Sequence, residues 1–307
     1  MIEYFKKIKN KDGIEKIDEF EEGCWVSVTN PTEEEIKELV EKFDLHKENI
    51  IDGLDIHENS RFEVEKKKTY IYLTAPTEKI PHENDSSFLI IYGKKQLITI
   101  SKTPLEIFEK ILNEKSRFLS FSISKNLVKI LFFVSRLFEE SVRKMRKETK
   151  SNKTDLSKLK TTDIEQLIHY EEKLNEYVSS FETTINTYTK ILRSKSLNFI
   201  KKDEEIIEDL IIDLNETLNL CKQTLKTISN MRTYYSTKLS NDLNKTVTIL
   251  TLVTIFISIP TLIVGIYGMN VILPFQNNSG AFGYILLLIL AILGILLIIL
   301  KKTKLMK

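Results

Sequence analysis

TVTILTLVTIFISIPTLIVGIY, Thr246 to Tyr267, followed at once by Gly268-Met269-Asn270, is the stretch on which the reading of this chain turns. It opens an uncharged run of 55 residues, Thr246 to Leu300, in a chain of 307 that elsewhere carries 45 Lys and Arg and 43 Asp and Glu. A charged side chain costs about 2.5 kcal/mol or more at a bilayer centre. A run this long and charge-free, bounded by Lys245 and Lys301, therefore reads as membrane-embedded and excludes a single water-soluble globule. It divides into two spans, 246–267 and 284–300, each able to cross about 30 Å of hydrocarbon, the second barely so. The joining loop, 268–283, has no charge, whereas Lys301, Lys302, Lys304 and Lys307 follow the second span. The positive-inside rule then puts both termini in the cytoplasm and the loop outside a multi-pass protein of the cell membrane.

The first span has one face unlike the rest. Positions 244, 251, 258 and 265 are Asn, Thr, Ser and Gly, and positions 247, 254, 261 and 268 are Val, Thr, Thr and Gly. On a helix with a heptad repeat these columns adjoin. Two readings are open. Small residues suit a close helix–helix interface. A stripe of hydroxyls without fixed charge also suits the lumen of a path for a hydrated ion, with Asn244 or Asp242 at its cytoplasmic mouth. One helix cannot enclose a pore, so the lumen reading requires an oligomer about one axis. Gly268 is suited to end the helix in a conformation that a side chain would oppose, leaving Asn270 at the outer mouth with an amide oxygen. Magnesium keeps several waters, and a ring of neutral oxygens could bind those waters without stripping them. By composition alone a tight turn accounts for the same residues.

Outward from the membrane, residues 1–120 read as a cytoplasmic α/β domain. Trp25–Thr29 alternates, Thr69–Ala75 is β-branched and aromatic, and Ser87–Tyr92 pairs with Gln96–Ser101 across Gly93-Lys94-Lys95. Asn30-Pro31-Thr32-Glu33-Glu34-Glu35 opens a helix with an N-cap, a first-turn proline and carboxylates at the positive end of the dipole. Residues 121–245 read as a helical stalk, since no proline occurs between Pro104 and Pro260 and no glycine between Gly93 and Gly265. Ile207, Leu210, Leu214, Leu218, Cys221, Leu225 and Ile228 form an apolar seam, a second reason to expect assembly. A helix from about Asp203 to Tyr267 would be roughly 95 Å long and enter the bilayer directly. Residues 246–307 complete the organisation as the transmembrane domain with its basic tail.

Several function classes lose support. MIEYFKKIKN has no apolar stretch behind its basic residues, which argues against a cleaved signal peptide. Cys24 and Cys221 are far apart and suggest neither a disulfide nor zinc. His46, His57, His82 and His169 lack metalloprotease spacing, and no Gly-rich phosphate loop occurs, so an enzyme is not expected, nor an organic cofactor. Glu33-Glu34-Glu35, Glu204-Glu205 and Lys66-Lys67-Lys68 read as solvated charge, and a nucleic-acid partner is not expected. A membrane-anchored coiled-coil scaffold would explain the seam and the anchor but not the hydroxyl stripe.

Gly265-Ile266-Tyr267-Gly268-Met269-Asn270, with a short loop, a second apolar span and a lysine-rich end, closely resembles the CorA magnesium transporters, marked by Gly-Met-Asn after the first of two C-terminal membrane helices. The N-terminal block is similar too: Trp25-Val26, Asn30-Pro31-Thr32-Glu33, Leu45-His46, Ile51-Asp52, Leu54-Asp55, Glu58, Arg61 and Val64-Glu65. The resemblance implies an α+β cytoplasmic domain, a long helical stalk and two transmembrane helices in a funnel-shaped homopentamer set in lipid. It further implies a selectivity filter at Gly268, Met269 and Asn270, and passive influx of hydrated magnesium. The pore would be lined by Asn244, Val247, Leu250, Thr251, Thr254, Ser258, Thr261 and Gly265, with Val247 and Leu250 as the apolar constriction. Magnesium would be both substrate and regulatory ligand, sensed at Asp209, while cobalt, nickel and zinc are carried by similar proteins. The sequence departs from the family where the sensor's partner falls, near Pro76 to Glu78 without an aspartate, so that Glu78 or Asp85 would supply the facing oxygen. It departs again at Thr233, where relatives carry a carboxylate, and in Val271-Ile-Leu-Pro-Phe-Gln-Asn-Asn278, which lacks an acidic residue.

Overall fold

The structure, a computed structural model, describes residues 1–7, 14–65, 68–76, 86–113, 122–153, 161–274 and 280–302. Glu78 and Asp85 lie outside the described residues, as do Lys304, Lys307 and residues 275–279 of the loop. Contacts gather the chain into two compact units, Met1–Met231 and Arg232–Lys307.

In the first unit, seven strands form one mixed sheet: β1 (Ile2–Lys7), β2 (Ile14–Ile17), β3 (Trp25–Thr29), β4 (Arg61–Glu65), β5 (Lys68–Ala75), β6 (Ser86–Tyr92) and β7 (Leu97–Ser101). Their order is β2-β1-β3-β7-β6-β5-β4, and only β3 and β7 run parallel, with Trp25 opposite Leu97 and Thr29 opposite Ser101. The expected hairpin is present as β6 and β7, Tyr92 opposite Leu97. Side chains alternate faces along each strand, so the sheet is buried on both sides. Val26, Val28, Tyr70, Tyr72, Leu89 and Ile98 pack against α1 (Glu33–Phe43) and α2 (Lys47–Gly53). Trp25, Ile71, Leu73, Phe88 and Ile90 share the other core with α3 (Glu106–Asn113), α4 (Ile123–Lys153), α5 (Thr161–Arg193) and the first part of α6 (Lys201–Tyr267). Trp25 also donates its indole N–H to Thr99 Oγ1 at 2.9 Å, which satisfies the one polar atom of that buried ring.

Local chemistry differs from expectation at the start of α1. Thr32, not Asn30, is the N-cap, joined to Glu35 in a capping box, and Pro31 precedes the helix. Asn30 instead takes a left-handed φ of 46°, a conformation Asn tolerates.

The seam on α6 is present, but its partner is not another copy of the chain. Ile207, Leu210, Leu214, Leu218, Cys221 and Ile228 are buried in the unit's own core, with Leu225 packed against it. The seam therefore gives no reason for assembly. Several residues of the N-terminal resemblance are likewise structural. Arg61 donates to Asp52 at 2.7 Å and to Glu63 at 2.9 Å, pairs with Glu58, and stacks over the Tyr72 ring at 3.7 Å. One guanidinium thus ties α2 to β4.

Candidate functional site

In the second unit lie the remainder of α6 and α7 (Ala281–Lys302). Both are long and apolar enough to cross a membrane, and the most apolar window of each is almost entirely uncovered by the rest of the chain. Val247, Ile249, Leu250, Ile257, Leu262 and Val264 are each about 60% exposed. In water that surface would cost about 25 cal/mol per Å², so lipid or further copies of the chain must cover it.

Asn244, Val247, Leu250, Thr251, Thr254, Ser258, Thr261 and Gly265 all lie on α6 and are exposed. At about 100° per residue they fall within an arc of about 120°. Lys238, Asp242 and Lys245, the charged residues between Thr233 and Gly268, lie at least about 80° outside that arc. Asp242 therefore does not share the face it was expected to mark, whereas Asn244 does. A hollow of about 790 Å³ lies over the face beside Ser258, Thr261 and Gly265, bordered by Ile257, Leu262, Ile266 and Met269. Small residues leave this space because nothing on them fills it.

The hydroxyls share one further property. Thr251 donates to the Val247 carbonyl at 2.8 Å, Thr254 to Leu250 at 2.9 Å, Ser258 to Thr254 at 2.8 Å and Thr261 to Ile257 at 2.7 Å. Each hydroxyl has one hydrogen, and it is engaged by the helix's own backbone. What these residues offer outward is lone pairs, so the stripe is a surface of acceptors. The sequence contains the oxygens but not this polarity.

The helix ends where Gly-Met-Asn begins. Gly268 donates its amide to Val264 at 2.9 Å and Met269 donates to Ile266 at 3.2 Å, the tightened last turn that commonly closes a helix. Gly268 is not in the left-handed region; among the described glycines only Gly23 is, at φ 83°. A Cβ there would meet the Val264 carbonyl at 3.4 Å, an ordinary contact. The expected reason for glycine, escape from the helix by a backbone that a side chain opposes, is therefore incorrect. Gly268, Met269 and Asn270 are all exposed at the end of α6.

Asp209 lies apart from these, on α6 in the first unit, exposed. Among the described residues no group of three or more His, Cys, Asp or Glu side chains could hold a metal within one chain. Asp209 does have acidic company that the sequence reading missed. Partial burial, then Glu139, Glu216 and Asp209, raise the Asp213 carboxyl above its ordinary range. The spacing of 209, 213 and 216, steps of four and three, is the pattern that could have revealed it.

These features define a class: a polytopic membrane protein with a mixed-sheet soluble domain, whose membrane helix presents an uncharged, oxygen-lined face. Residues 20–302 match the family model described as CorA-like Mg2+ transporter protein. The chain belongs to this family. It is 24% identical over 295 residues to a cobalt/magnesium transport protein CorA from Methanocaldococcus jannaschii, covering 91% of this chain and 90% of that protein. A magnesium transport protein CorA from Wolinella succinogenes is also 24% identical, over 298 residues, with the same coverage. The complete structure of the CorA magnesium transporter from M. jannaschii superposes with a TM-score of 0.83 at 21% identity, covering 98% of this chain and 97% of that one.

Proposed function

We propose that this chain, a CorA-type magnesium transporter, carries the hydrated ion passively inward along the arc of α6 that ends at Gly268-Met269-Asn270. The single observation behind the pathway is the continuous uncharged face, with acceptor oxygens at Thr251, Thr254, Ser258 and Thr261 and every charge of that stretch turned away. Water molecules bound to a cation point their hydrogens outward, and acceptors meet them without displacing them. Magnesium gains most from this arrangement, because it gives up its waters reluctantly. One helix lines one side only, so the chain works as a homo-oligomer about a common axis, a pentamer by family resemblance, with lipid against the remaining apolar surface. Both termini are cytoplasmic in this reading, which the four lysines after the second span support.

Asn270 is the acceptor at the outer end, and Gly268 and Met269 set its position. Val247 and Leu250 form the apolar constriction, which opposes wetting of a narrow tube. Asp209 is the regulatory site. The negative charge around Asp213 supports it, since a cation there offsets mutual repulsion. Among the described residues no group of three metal-ligating side chains forms within one chain, and the second half of such a site comes from a neighbouring copy.

The test is magnesium influx into liposomes holding the purified full chain, without nucleotide. Parent influx is expected, and Asn270→Ala should abolish it with the oligomer intact. Gly268→Ala fits its own chain at 3.4 Å, so a loss of influx there would reflect crowding at the shared axis. Influx that requires ATP, or parental influx in Asn270→Ala, would end the reading. Cobalt, nickel and zinc arms of the assay decide the ion, cobalt being named for the M. jannaschii relative.

A further inference from the structure

The uncharged arc of α6 does not stop at the membrane border. Leu243 stands among Asn241, Asp242, Asn244 and Lys245, in a stretch rich in polar residues, and is 59% exposed, as much as Val247 at 59% and nearly as much as Leu250 at 65%. A leucine left uncovered among polar residues is surface that an assembly can bury. Its phase on the helix is specific. Leu243 lies one heptad before Leu250 and so occupies the same column, and at about 100° per residue it falls between Leu250 and Thr254 in angle. Asp242 and Lys245 lie about 100° and 160° away from it. Whatever turns Leu250 toward an axis turns Leu243 toward it as well.

We infer that Leu243 forms a third apolar ring, at the cytoplasmic mouth of the pore, and that the dewetted segment runs from Leu243 to Leu250 rather than from Val247 to Leu250. This rests on the pore reading above. The segment then spans seven residue steps, about 10.5 Å along the helix, instead of three, about 4.5 Å. A longer apolar collar excludes water more firmly, because each added ring removes hydrogen-bond partners from the column of water that must enter. Asn244, the next residue, lies at the edge of the arc, about 100° round the helix from Leu243, so its amide flanks the cytoplasmic end of the collar.

The experiment uses the full chain in liposomes at internal magnesium high enough to suppress the parent. Leu243→Asn should raise influx roughly three- to tenfold, whereas Tyr234→Asn, half a turn round the helix and 43% exposed, should leave it unchanged. A second readout needs no flux. Leu243→Cys, treated with copper-phenanthroline in air, should run as covalent dimers on a non-reducing gel, and Tyr234→Cys should not; Cys24 and Cys221 are buried and give little background. Leu243→Asn influx at the suppressed parental level, in a preparation where the parent carries magnesium at low internal magnesium and Asn270→Ala does not, overturns the third ring and leaves the pore reading standing. Equal cross-linking at 243 and 234 overturns it too. A parent without influx at low internal magnesium removes the pore reading and this ring together.

Discussion

Replacing Thr254 by valine removes one oxygen and changes almost nothing else. The two side chains have nearly the same shape, and the hydroxyl's present bond, 2.9 Å to the Leu250 carbonyl, is additional to the helix ladder. No backbone group is orphaned, so the helix should persist. What disappears is one outward lone pair per subunit. A hydrogen bond of this kind is worth about 0.5–1.5 kcal/mol net. If a hydrated ion touches two such oxygens as it passes the ring, the barrier rises by about 1–3 kcal/mol, a slowing of roughly 5- to 150-fold. Thr261→Val should behave alike. Thr248→Val is the control: Thr248 makes the same back-bond, 2.8 Å to Asn244, but lies about 120° from Thr254 on the helix. Initial magnesium influx should fall in Thr254→Val, recover in Thr254→Ser and stay at the parental rate in Thr248→Val. Equal loss at 248 and 254 would show a general effect on the helix, and no loss at either would refute the acceptor face as the ion's path.

Three expectations concern the soluble unit. Gly53→Ala puts a Cβ at 2.5 Å from Leu89 Cβ on β6; overpacking of that kind costs about 1–3 kcal/mol, and a fall in the unfolding temperature of the soluble unit checks it. Burial, reinforced by Lys7 and Lys125, lowers the Lys129 amine to about 8. Its folded value lies below the unfolded value of about 10.4, so the folded state loses this proton first and stability rises with pH between about 8 and 10.4; Lys129→Met should flatten that rise in chemical unfolding curves. Asp209→Asn should stay conductive at internal magnesium that silences the parent, and unchanged inhibition would remove the regulatory site while leaving the pore reading untouched.

What could be read in the sequence follows from which forces write themselves into a pattern. The β6–β7 hairpin was legible because Gly93-Lys94-Lys95 interrupts two apolar runs that are buried throughout. Strands β1 and β2, IEYFKK and IEKI, were not, since they sit at the sheet's end and intersperse lysine and glutamate that blunt an edge. β4, RFEVE, escaped for the same reason at the other end. The seam from Ile207 to Ile228 was legible as a buried face, but periodicity reports that a face is covered and not by what; its cover is the chain's own core. At the site, the columns of small residues were plain in the sequence, whereas the φ of Gly268 and the direction of each hydroxyl hydrogen required coordinates.

Those hydrogens bear on which ions such a face admits. A hydrated cation presents hydrogens, and the lone pairs of Thr251, Thr254, Ser258 and Thr261 accept them as they stand. A hydrated anion presents oxygens and needs donors. To donate, a hydroxyl must leave its carbonyl, at distances of 2.7 to 2.9 Å, and forfeit about 0.5–1.5 kcal/mol each time. Four such hydroxyls in a row set a repeated penalty against anions without a single fixed charge. The absence of charge matters equally. A carboxylate in this arc would attract a divalent ion by about 8 kcal/mol at 4 Å in an effective dielectric of 20 and hold it too tightly to let it leave. Cation preference by polarity of neutral oxygens, rather than by charge, would let the ion pass from one shallow site to the next, which is the condition for conduction.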